Sequence, residues 1–218
     1  MPPPQGTLRT LLRLFPRLAH FAYVQEVKKQ LRSCKSCLEI GCGADSPARM
    51  VGFERYVGLD GHGPVIEEAK RNDLGGEYVL GRAEDIVSLF GEKSFDCVVG
   101  LDLIEHLTKE DGLRLIADME RVARKRVLLF TPNGFLPQES RDGDLQEHLS
   151  GWTAEEMRDL EFRVVGMHGP KGLRGDHHKP KIKPAALGSA ISQLLQLYTR
   201  HAPGKAAAIL CVKDVPAP

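Results

Sequence analysis

Short apolar runs alternate with stretches of helical periodicity from residue 37 onward, and this alternation constrains the fold more than any other feature. Most of these runs are apolar throughout, as is typical of parallel strands that are covered on both faces. Helices between successive strands form βαβ units, which predict a doubly wound α/β sheet. The predicted strands are Cys37–Ile40, Tyr56–Leu59, Glu77–Leu80, Phe95–Leu101, Arg126–Thr131, Phe162–Met167 and Ala206–Lys213.

The chain has 218 residues, enough for one domain with a sizeable core and one addition. We predict an N-terminal amphipathic helical segment at residues 1–34, followed by a domain at residues 35–218. A basic and helical insertion at about 168–205 separates the last two strands, because this stretch is far longer than a hairpin loop. Within it, Ala185–His201 has a helical periodicity that places four apolar residues on one side: Ile191, Leu194, Leu195 and Tyr198.

Charge and hydropathy argue against some classes of protein. The formal net charge is +1, so no global bias favours nucleic acid or an anionic membrane as a partner. No run of about 18 apolar residues suggests a membrane span, and we expect a cytoplasmic protein. The first 25 residues combine leucines at helical spacing with arginines on another face. A transit peptide, contact with a membrane surface and simple packing beside the domain therefore all stay open for this segment.

Five cysteines are present, and two of them, Cys34 and Cys37, form a CxxC pair. A structural zinc site needs four ligands, and no second CxxC or histidine pair lies at a matching spacing. Cys37, Cys97 and Cys211 lie in apolar runs that are typical of buried strands. We therefore expect reduced core cysteines, as is usual in the cytosol.

A glycine-rich turn follows the first predicted strand, in the run Leu38-Glu39-Ile40-Gly41-Cys42-Gly43-Ala44-Asp45. Glycines allow the backbone to approach a ligand closely and to adopt conformations that a side chain forbids. The turn lies at the carboxyl end of a parallel strand, which is where α/β sheets bind ligands. Ser46 stands where the dinucleotide pattern GxGxxG would have its third glycine, and the GK[ST] of a P-loop is missing, so neither pattern explains the turn.

Three later strand ends carry matching signals. Asp60 ends the second predicted strand, 19 residues after Gly41, where an acid accepts hydrogen bonds from both hydroxyls of a ribose. The third strand continues into Gly81-Arg82-Ala83-Glu84-Asp85, and the fourth into Asp102-Leu103-Ile104-Glu105-His106-Leu107. Over residues 36–167 and the last strand, these motifs together resemble those of the class I S-adenosylmethionine-dependent methyltransferases.

The resemblance implies a Rossmann-like, seven-stranded, mostly parallel sheet with helices on both faces and an antiparallel last strand. It also implies S-adenosylmethionine as the cofactor and in-line displacement of the methyl group from its sulfonium. The family often has an acid where Arg82 stands, so contact with the adenine falls to the Ala83 backbone and to Glu84. The residues that the resemblance assigns to the cofactor are Glu39, Gly41, Cys42, Gly43, Asp60, Gly61, Ala83, Glu84, Leu101 and Asp102.

Two histidines and a tryptophan are the candidates for handling the methyl acceptor. His106 follows the fourth strand where the methyl group should emerge, and histidine titrates near neutrality, as a general base requires. His148 and Trp152 belong to Gln146–Thr153, a segment that resembles a His-x-Ser-x-Trp-Thr pattern of small-molecule members of the family. Structural interpretations stay open: His106 as a helix-entry residue and Trp152 as a core anchor. Glu105 beside His106 invites a metal ion, but no third ligand is evident and we predict no metal site.

These features favour methylation of a small molecule at oxygen or nitrogen. A protein or RNA methyltransferase is the alternative that the basic stretch Lys171–Lys183 favours, although its lack of aromatic residues argues against nucleic acid. A solvated loop explains the same stretch. Because fold alone does not determine function, a non-catalytic scaffold that binds the cofactor and a nicotinamide oxidoreductase stay as the other classes.

Overall fold

A seven-stranded sheet organises the part of the chain that this computed structural model describes, residues 22–72, 75–138, 147–173, 182 and 185–216. The strands, numbered along the chain, are β1 (Ser36–Ile40), β2 (Arg55–Asp60), β3 (Glu77–Leu80), β4 (Phe95–Leu101), β5 (Ala123–Pro132), β6 (Arg163–Pro170) and β7 (Ala206–Asp214). Their spatial order is β3-β2-β1-β4-β5-β7-β6, and among these seven strands β7 alone runs opposite to the other six. The predicted sheet, mostly parallel with an antiparallel last strand, is confirmed.

Helices connect most of the strands, and two of them begin at the caps that the sequence predicts. Thr153 accepts a hydrogen bond from the Glu156 N–H, and the Glu156 side chain accepts one from the Thr153 N–H, a complete capping box. Thr108 accepts from the Asp111 N–H, but its hydroxyl donates to the Asp111 carboxylate (2.8 Å), so this box is incomplete. The helices are α1 (22–31), α2 (Gly63–Asn72), α3 (Ile86–Phe90), α4 (Lys109–Val122), α5 (Ala154–Asp159) and α6 (Ala185–Thr199).

The sheet is covered on both faces, and each face has its own apolar cluster. Leu38 of β1 and Val98 of β4 lie in one cluster, which α4 and α5 close. Their neighbours Cys37 and Cys97 point to the other cluster, because successive side chains of a strand alternate between faces. This double burial explains why the strands are apolar throughout. All five cysteines are buried and unpaired, as expected of core residues.

α1 packs against the second cluster. Tyr23, Val27 and Leu31 are four residues apart, so they share one helix face, and all three are buried. The leucines and arginines of the predicted amphipathic segment precede residue 22 and lie outside the described residues, so its contact with a membrane stays a prediction. Within the described ranges, no helix has the length and apolar character to cross a membrane.

α6 packs against β6 with small and polar residues rather than with its leucines. Ser192 and Thr199 are buried, and their carbonyl groups leave no room for a Cβ on Gly169 and Gly166 of β6. The apolar side that the periodicity predicts is therefore not the packing side, and three of its large side chains are exposed. These exposed side chains of α6 are Leu194, Leu195 and Tyr198.

The basic stretch before α6 lies mostly outside the described residues.

Candidate active site

A cavity of about 650 Å³ opens at the carboxyl ends of β1, β2, β3 and β4. This volume falls within the roughly 300–1,000 Å³ that is usual for small-molecule sites. Each wall comes from the turn that follows one of these strands, as is typical of open α/β sheets. Eight residues that the sequence assigned to the site line the cavity: Gly41, Gly43, Asp60, Gly61, Ala83, Glu84, Asp102 and His106.

The glycine-rich turn after β1 presents bare backbone to the cavity. Gly41 and Gly43 have φ angles of +67° and +58°, in the left-handed region that disfavours side chains. A Cβ on Gly41 would also lie 2.9 Å from Cδ1 of Leu103, which lines the cavity after β4. Ser46 then begins a short 3-10 turn by accepting a hydrogen bond from the Ala48 N–H (3.1 Å), so the predicted cap is present.

Asp60 ends β2 and connects two turns of the site. One carboxylate oxygen accepts a hydrogen bond from the Gly43 N–H (3.1 Å), and the other accepts one from the His62 N–H (2.9 Å). Each oxygen has a second lone pair, which leaves it able to accept from a ribose hydroxyl. Asp60 therefore braces the glycine-rich turn in addition to facing the cavity.

Glu39 lies beneath the turn rather than in the cavity. It is 1% exposed and accepts hydrogen bonds of 2.5 Å from the hydroxyls of Ser46 and Tyr56. Burial raises the pKa of Glu39 to about 7, although both hydrogen bonds act in the opposite direction. Cys42 and Leu101 are also buried and do not line the cavity. These three assigned residues support the site from behind, so the geometry does not favour them as direct contacts of the cofactor.

The turn after β3 brings Ala83 and Glu84 to the edge of the cavity. Arg82 pairs with Glu84 at 2.8 Å, and both side chains are well exposed. An exposed pair of this kind stabilises the fold by only about 0–1 kcal/mol. A ligand therefore displaces Arg82 from Glu84 at little cost, and contact of this turn with adenine stays a prediction.

Asp102 follows β4 with a φ of +51°, which is uncommon for a residue that has a side chain. Its N–H donates to the Phe130 carbonyl (2.9 Å), so the pairing of β4 with β5 continues up to this residue. Its side chain is open to the cavity, yet the surrounding protein desolvates the carboxyl and raises its pKa. A strained backbone at a strand end is a frequent feature of functional sites.

Glu105 is a second acid in this part of the site. It is 2% exposed and accepts a hydrogen bond from the Thr131 hydroxyl (2.9 Å). Burial raises the pKa of Glu105, and the charge of Asp102 raises it further. Among the residues that the structure describes, no lysine or arginine forms an ion pair with either acid. Acids with perturbed pKa values next to a cavity are typical of functional sites.

The segment that contains His148 docks onto the turn after β4 through backbone hydrogen bonds. The N–H groups of Leu149 and Ser150 both donate to the Glu105 carbonyl, at 2.8 and 3.1 Å. This docking brings His148 to His106, with ring centroids 4.8 Å apart. His106 lines the cavity, whereas His148 is buried outside the lining. The structure thus places both histidine candidates together.

Trp152 is a core residue. It is 1% exposed, and its indole N–H donates to the Ser150 hydroxyl (2.9 Å). Its ring packs on Gly112 of α4, where an added Cβ would lie 2.5 Å from Cζ2 of the indole. Trp152 does not line the cavity. The geometry therefore favours the anchor interpretation over stacking on the acceptor.

Eight cavity residues were not among the assigned site residues: Ile40, Leu59, His62, Val65, Gly81, Arg82, Leu103 and Leu107. Five of them are apolar. Apolar residues in a cavity wall resemble ordinary core residues in a sequence, so periodicity does not distinguish them. The sequence marked these residues only indirectly, because some of them lie next to the site candidates Asp60 and His106.

The groups around the cavity suit S-adenosylmethionine. Asp60 is placed to accept from a ribose, the backbone of Gly41 and Gly43 leaves space for a charged tail, and Leu103 and Val65 supply apolar walls. The cofactor supplies an electrophilic methyl group when it is bound.

Comparisons with known proteins agree with this fit. Residues 38–131 match the family model of a methyltransferase domain. No curated protein matches the chain by sequence.

Three solved structures share the fold over most of this chain. The methyltransferase domain of a bacterial Hen1, CtHen1-C, has 15% identity and a TM-score of 0.59, covering 89% of this chain and 97% of that one. A SAM-dependent methyltransferase of Archaeoglobus fulgidus has 16% identity and a TM-score of 0.54, covering 88% and 94%. Phosphoethanolamine N-methyltransferase 2 of Haemonchus contortus, bound to S-adenosyl-L-methionine, has 16% identity and a TM-score of 0.53, covering 84% and 49%. The chain is thus similar to a methyltransferase domain over residues 38–131, and it shares its fold with these methyltransferase structures.

Proposed function

We propose that this chain is an S-adenosylmethionine-dependent methyltransferase that acts on a small molecule, at an oxygen or nitrogen that binds beside His106. The observation that carries the proposal is the imidazole of His106 in the cavity wall after β4, with the ring of His148 packed against it from outside the lining. Methyl transfer by in-line displacement requires above all that the nucleophile be aligned with the methyl carbon and the sulfur. Two imidazoles held in fixed positions serve that alignment.

Backbone carbonyls hold both imidazoles in one tautomer. Nδ1 of His106 lies 3.0 Å from the Glu147 carbonyl oxygen, and Nδ1 of His148 lies 2.7 Å from that of Leu136. Because a carbonyl only accepts, each Nδ1 carries a proton, and the tautomer of the neutral ring that fits this contact has its lone pair on Nε2. At His106, such a lone pair accepts a hydrogen bond from an acceptor hydroxyl or amine and takes up its proton.

Two features support a small acceptor over a protein or RNA. The cavity volume of about 650 Å³ lies in the range of small-molecule sites, and the formal net charge of the chain is only +1. The Haemonchus enzyme, by its name, methylates phosphoethanolamine, so this fold accommodates small acceptors. The basic stretch Lys171–Lys183 favours the alternative, a protein or RNA acceptor.

Calorimetric titration of the folded chain with S-adenosylmethionine, S-adenosylhomocysteine and NAD tests the cofactor first. We expect binding of the first two and none of NAD. Transfer of labelled methyl groups to small hydroxy and amino compounds, to bulk protein and to RNA then separates the acceptor classes. Labelling of protein or RNA alone would contradict a small-molecule acceptor.

His106→Asn tests the role of the imidazole in transfer. We expect the transfer rate to fall by about 100- to 10,000-fold, since an imidazole that moves a proton contributes on this scale. The affinity for S-adenosylmethionine should not change, because the ribose and tail contacts lie elsewhere. The matched control is His201→Asn at an exposed position, which should keep the full rate. An undiminished rate in His106→Asn would remove His106 from the reaction.

A further inference from the structure

Glu105, His106 and His148 bring three metal-binding side chains together, with one ligand atom from each lying within 4.8 Å of the others. Across the described ranges, this is the one group of three or more such residues. The sequence offers Glu105 and His106 as neighbours, and the fold adds the third side chain from 42 positions after His106. We propose that these three residues, the metal trio, bind a divalent transition-metal ion.

The hydrogen bonds of both histidines are those of metal ligands. A histidine that binds a metal through one ring nitrogen usually donates the other N–H to a carbonyl or carboxylate, which fixes the ring and its tautomer. His106 and His148 each direct Nδ1 to a backbone carbonyl, at 3.0 and 2.7 Å. Both rings are therefore oriented with Nε2 as the nitrogen whose lone pair can bind a cation.

Glu105 supplies the negative charge that such an ion needs. Its carboxyl is almost fully buried, and in the described part of the molecule it pairs with no lysine or arginine. Leaving a buried carboxylate without a cation is costly, so this acid must either keep a proton or face a cation. The hydrogen bond from Thr131 to Oε2 holds the carboxylate in place, as partners of metal-binding acids commonly do.

The backbone already holds the trio in nearly the required arrangement. The N–H groups of Leu149 and Ser150, which follow His148, donate to the carbonyl of Glu105. These hydrogen bonds join the segment of His148 to the turn of Glu105 and His106, directly beside the metal trio. Ligand atoms at about 2.1 Å from one ion are at most about 4.2 Å apart. The observed 4.8 Å is slightly wider, and small rotations of the side-chain torsions close the difference.

The ligand set selects the class of metal. Two imidazoles and one carboxylate suit Zn²⁺, Mn²⁺, Fe²⁺ or Co²⁺, whereas Mg²⁺ and Ca²⁺ prefer sites made only of oxygen. Three protein ligands leave further coordination positions open. Because His106 lines the cavity, an ion here would stand where the proposed acceptor binds, and would occupy the Nε2 lone pair that otherwise takes up the proton of the acceptor. This consequence rests on the proposed function, but binding of the ion does not.

Calorimetric titration of the chelator-treated, full-length chain with Zn²⁺ and Co²⁺ tests the site, with Mg²⁺ as the comparison. We expect one ion per chain for Zn²⁺ and Co²⁺, and far weaker binding of Mg²⁺. The visible absorption of bound Co²⁺ should show nitrogen and oxygen ligands without the thiolate bands that cysteine would produce.

Three variants locate the ion. His106→Asn and His148→Asn should each lower the affinity for Zn²⁺ at least 100-fold, while the exposed His201→Asn should leave it unchanged. Thermal melting confirms that each variant is folded. Wild-type protein that binds neither Zn²⁺ nor Co²⁺, affinity that survives both trio substitutions, or Mg²⁺ binding as tight as Zn²⁺ would each overturn the proposal.

Titration of the same variants with S-adenosylmethionine keeps the two proposals apart. We expect unchanged cofactor affinity in His148→Asn, since this residue does not line the cavity. Loss of metal binding with intact cofactor binding supports the trio. Absence of cofactor binding in the wild type would contradict the proposed function while leaving the metal measurement valid.

Discussion

The proposed function divides the cavity into a cofactor half and an acceptor half, and these two halves are built in different ways. The cofactor half consists of the turns after β1, β2 and β3, each of which directly follows its strand in the sequence. The acceptor half joins the turn after β4 to the segment of His148, which lies 42 residues after His106. A motif at a strand end therefore predicts the cofactor half directly, whereas the acceptor half depends on how a later loop docks.

The two halves also differ in how their acids are satisfied. Asp60, in the cofactor half, accepts one backbone N–H on each oxygen. Asp102, which the resemblance assigns to the cofactor, and Glu105 both follow β4, and desolvation raises their pKa values. Asp60 is therefore held by backbone hydrogen bonds with lone pairs left for a ribose, whereas the surroundings of the two acids after β4 disfavour their charged forms.

Trp152→Ala should have the largest effect and should act on the acceptor half alone. Removing a fully buried tryptophan costs about 3–5 kcal/mol of unfolding free energy. Urea unfolding measures this loss, and Trp152→Phe is the control, with a smaller loss because most of the ring volume stays. The affinity of the folded protein for S-adenosylmethionine should not change. A parallel loss of cofactor affinity would show that the two halves are not independent.

Asp60→Ala should have the next largest effect, in the cofactor half. A hydrogen bond to a charged group contributes about 1.5–3 kcal/mol, so loss of the two bonds to a ribose weakens binding by roughly 100-fold or more. Calorimetric titration with S-adenosylmethionine measures the change. Asp45→Ala, at an exposed acid next to the glycine-rich turn, is the matched control and should bind normally. Equal affinity of both variants would argue against Asp60 as a ligand.

Glu39→Gln tests whether Glu39 is a buried acid beneath the glycine-rich turn. The pKa of Glu39 is about 7 in the fold against an ordinary 4.5, so the folded state holds the proton more tightly than the unfolded state. The stability that this group contributes is therefore complete below pH 4.5 and is lost as the pH rises towards about 7. In urea unfolding, the wild type should lose stability relative to Glu39→Gln over this interval. A relative gain in stability would contradict the raised pKa.

Glu84→Gln should have the smallest effect. If Glu84 contacts the adenine, loss of one hydrogen bond of about 1 kcal/mol lowers the affinity for S-adenosylmethionine about fivefold. Stability should change by less than about 1 kcal/mol, because the pair with Arg82 is exposed. Arg82→Gln breaks the same ion pair and keeps the acid, so it should bind the cofactor normally. Equal affinities in both variants would remove Glu84 from the adenine contacts.

Most of the fold follows from local patterns. Strands that are apolar throughout, such as Phe95–Leu101, were predictable because both faces of a parallel sheet are buried. The capping box was predictable because Thr153 and Glu156, which form it, are three residues apart in the sequence. The packing side of α6 was not predictable in this way. Ser192 and Thr199 are buried because they lie close to glycines of β6, and the periodicity of a helix does not show which element it packs against.

The sequence by itself determined the order of the strands and helices, the glycine-rich turn and the acid at the end of β2, since each of these depends on neighbouring residues. Only the tertiary structure decided that Glu39 supports the turn from behind, that Trp152 is an anchor and that His148 meets Glu105 and His106. The physical reason is that side-chain direction and burial depend on which distant segments pack together. A residue type limits what a side chain can do, and the fold decides which groups it meets.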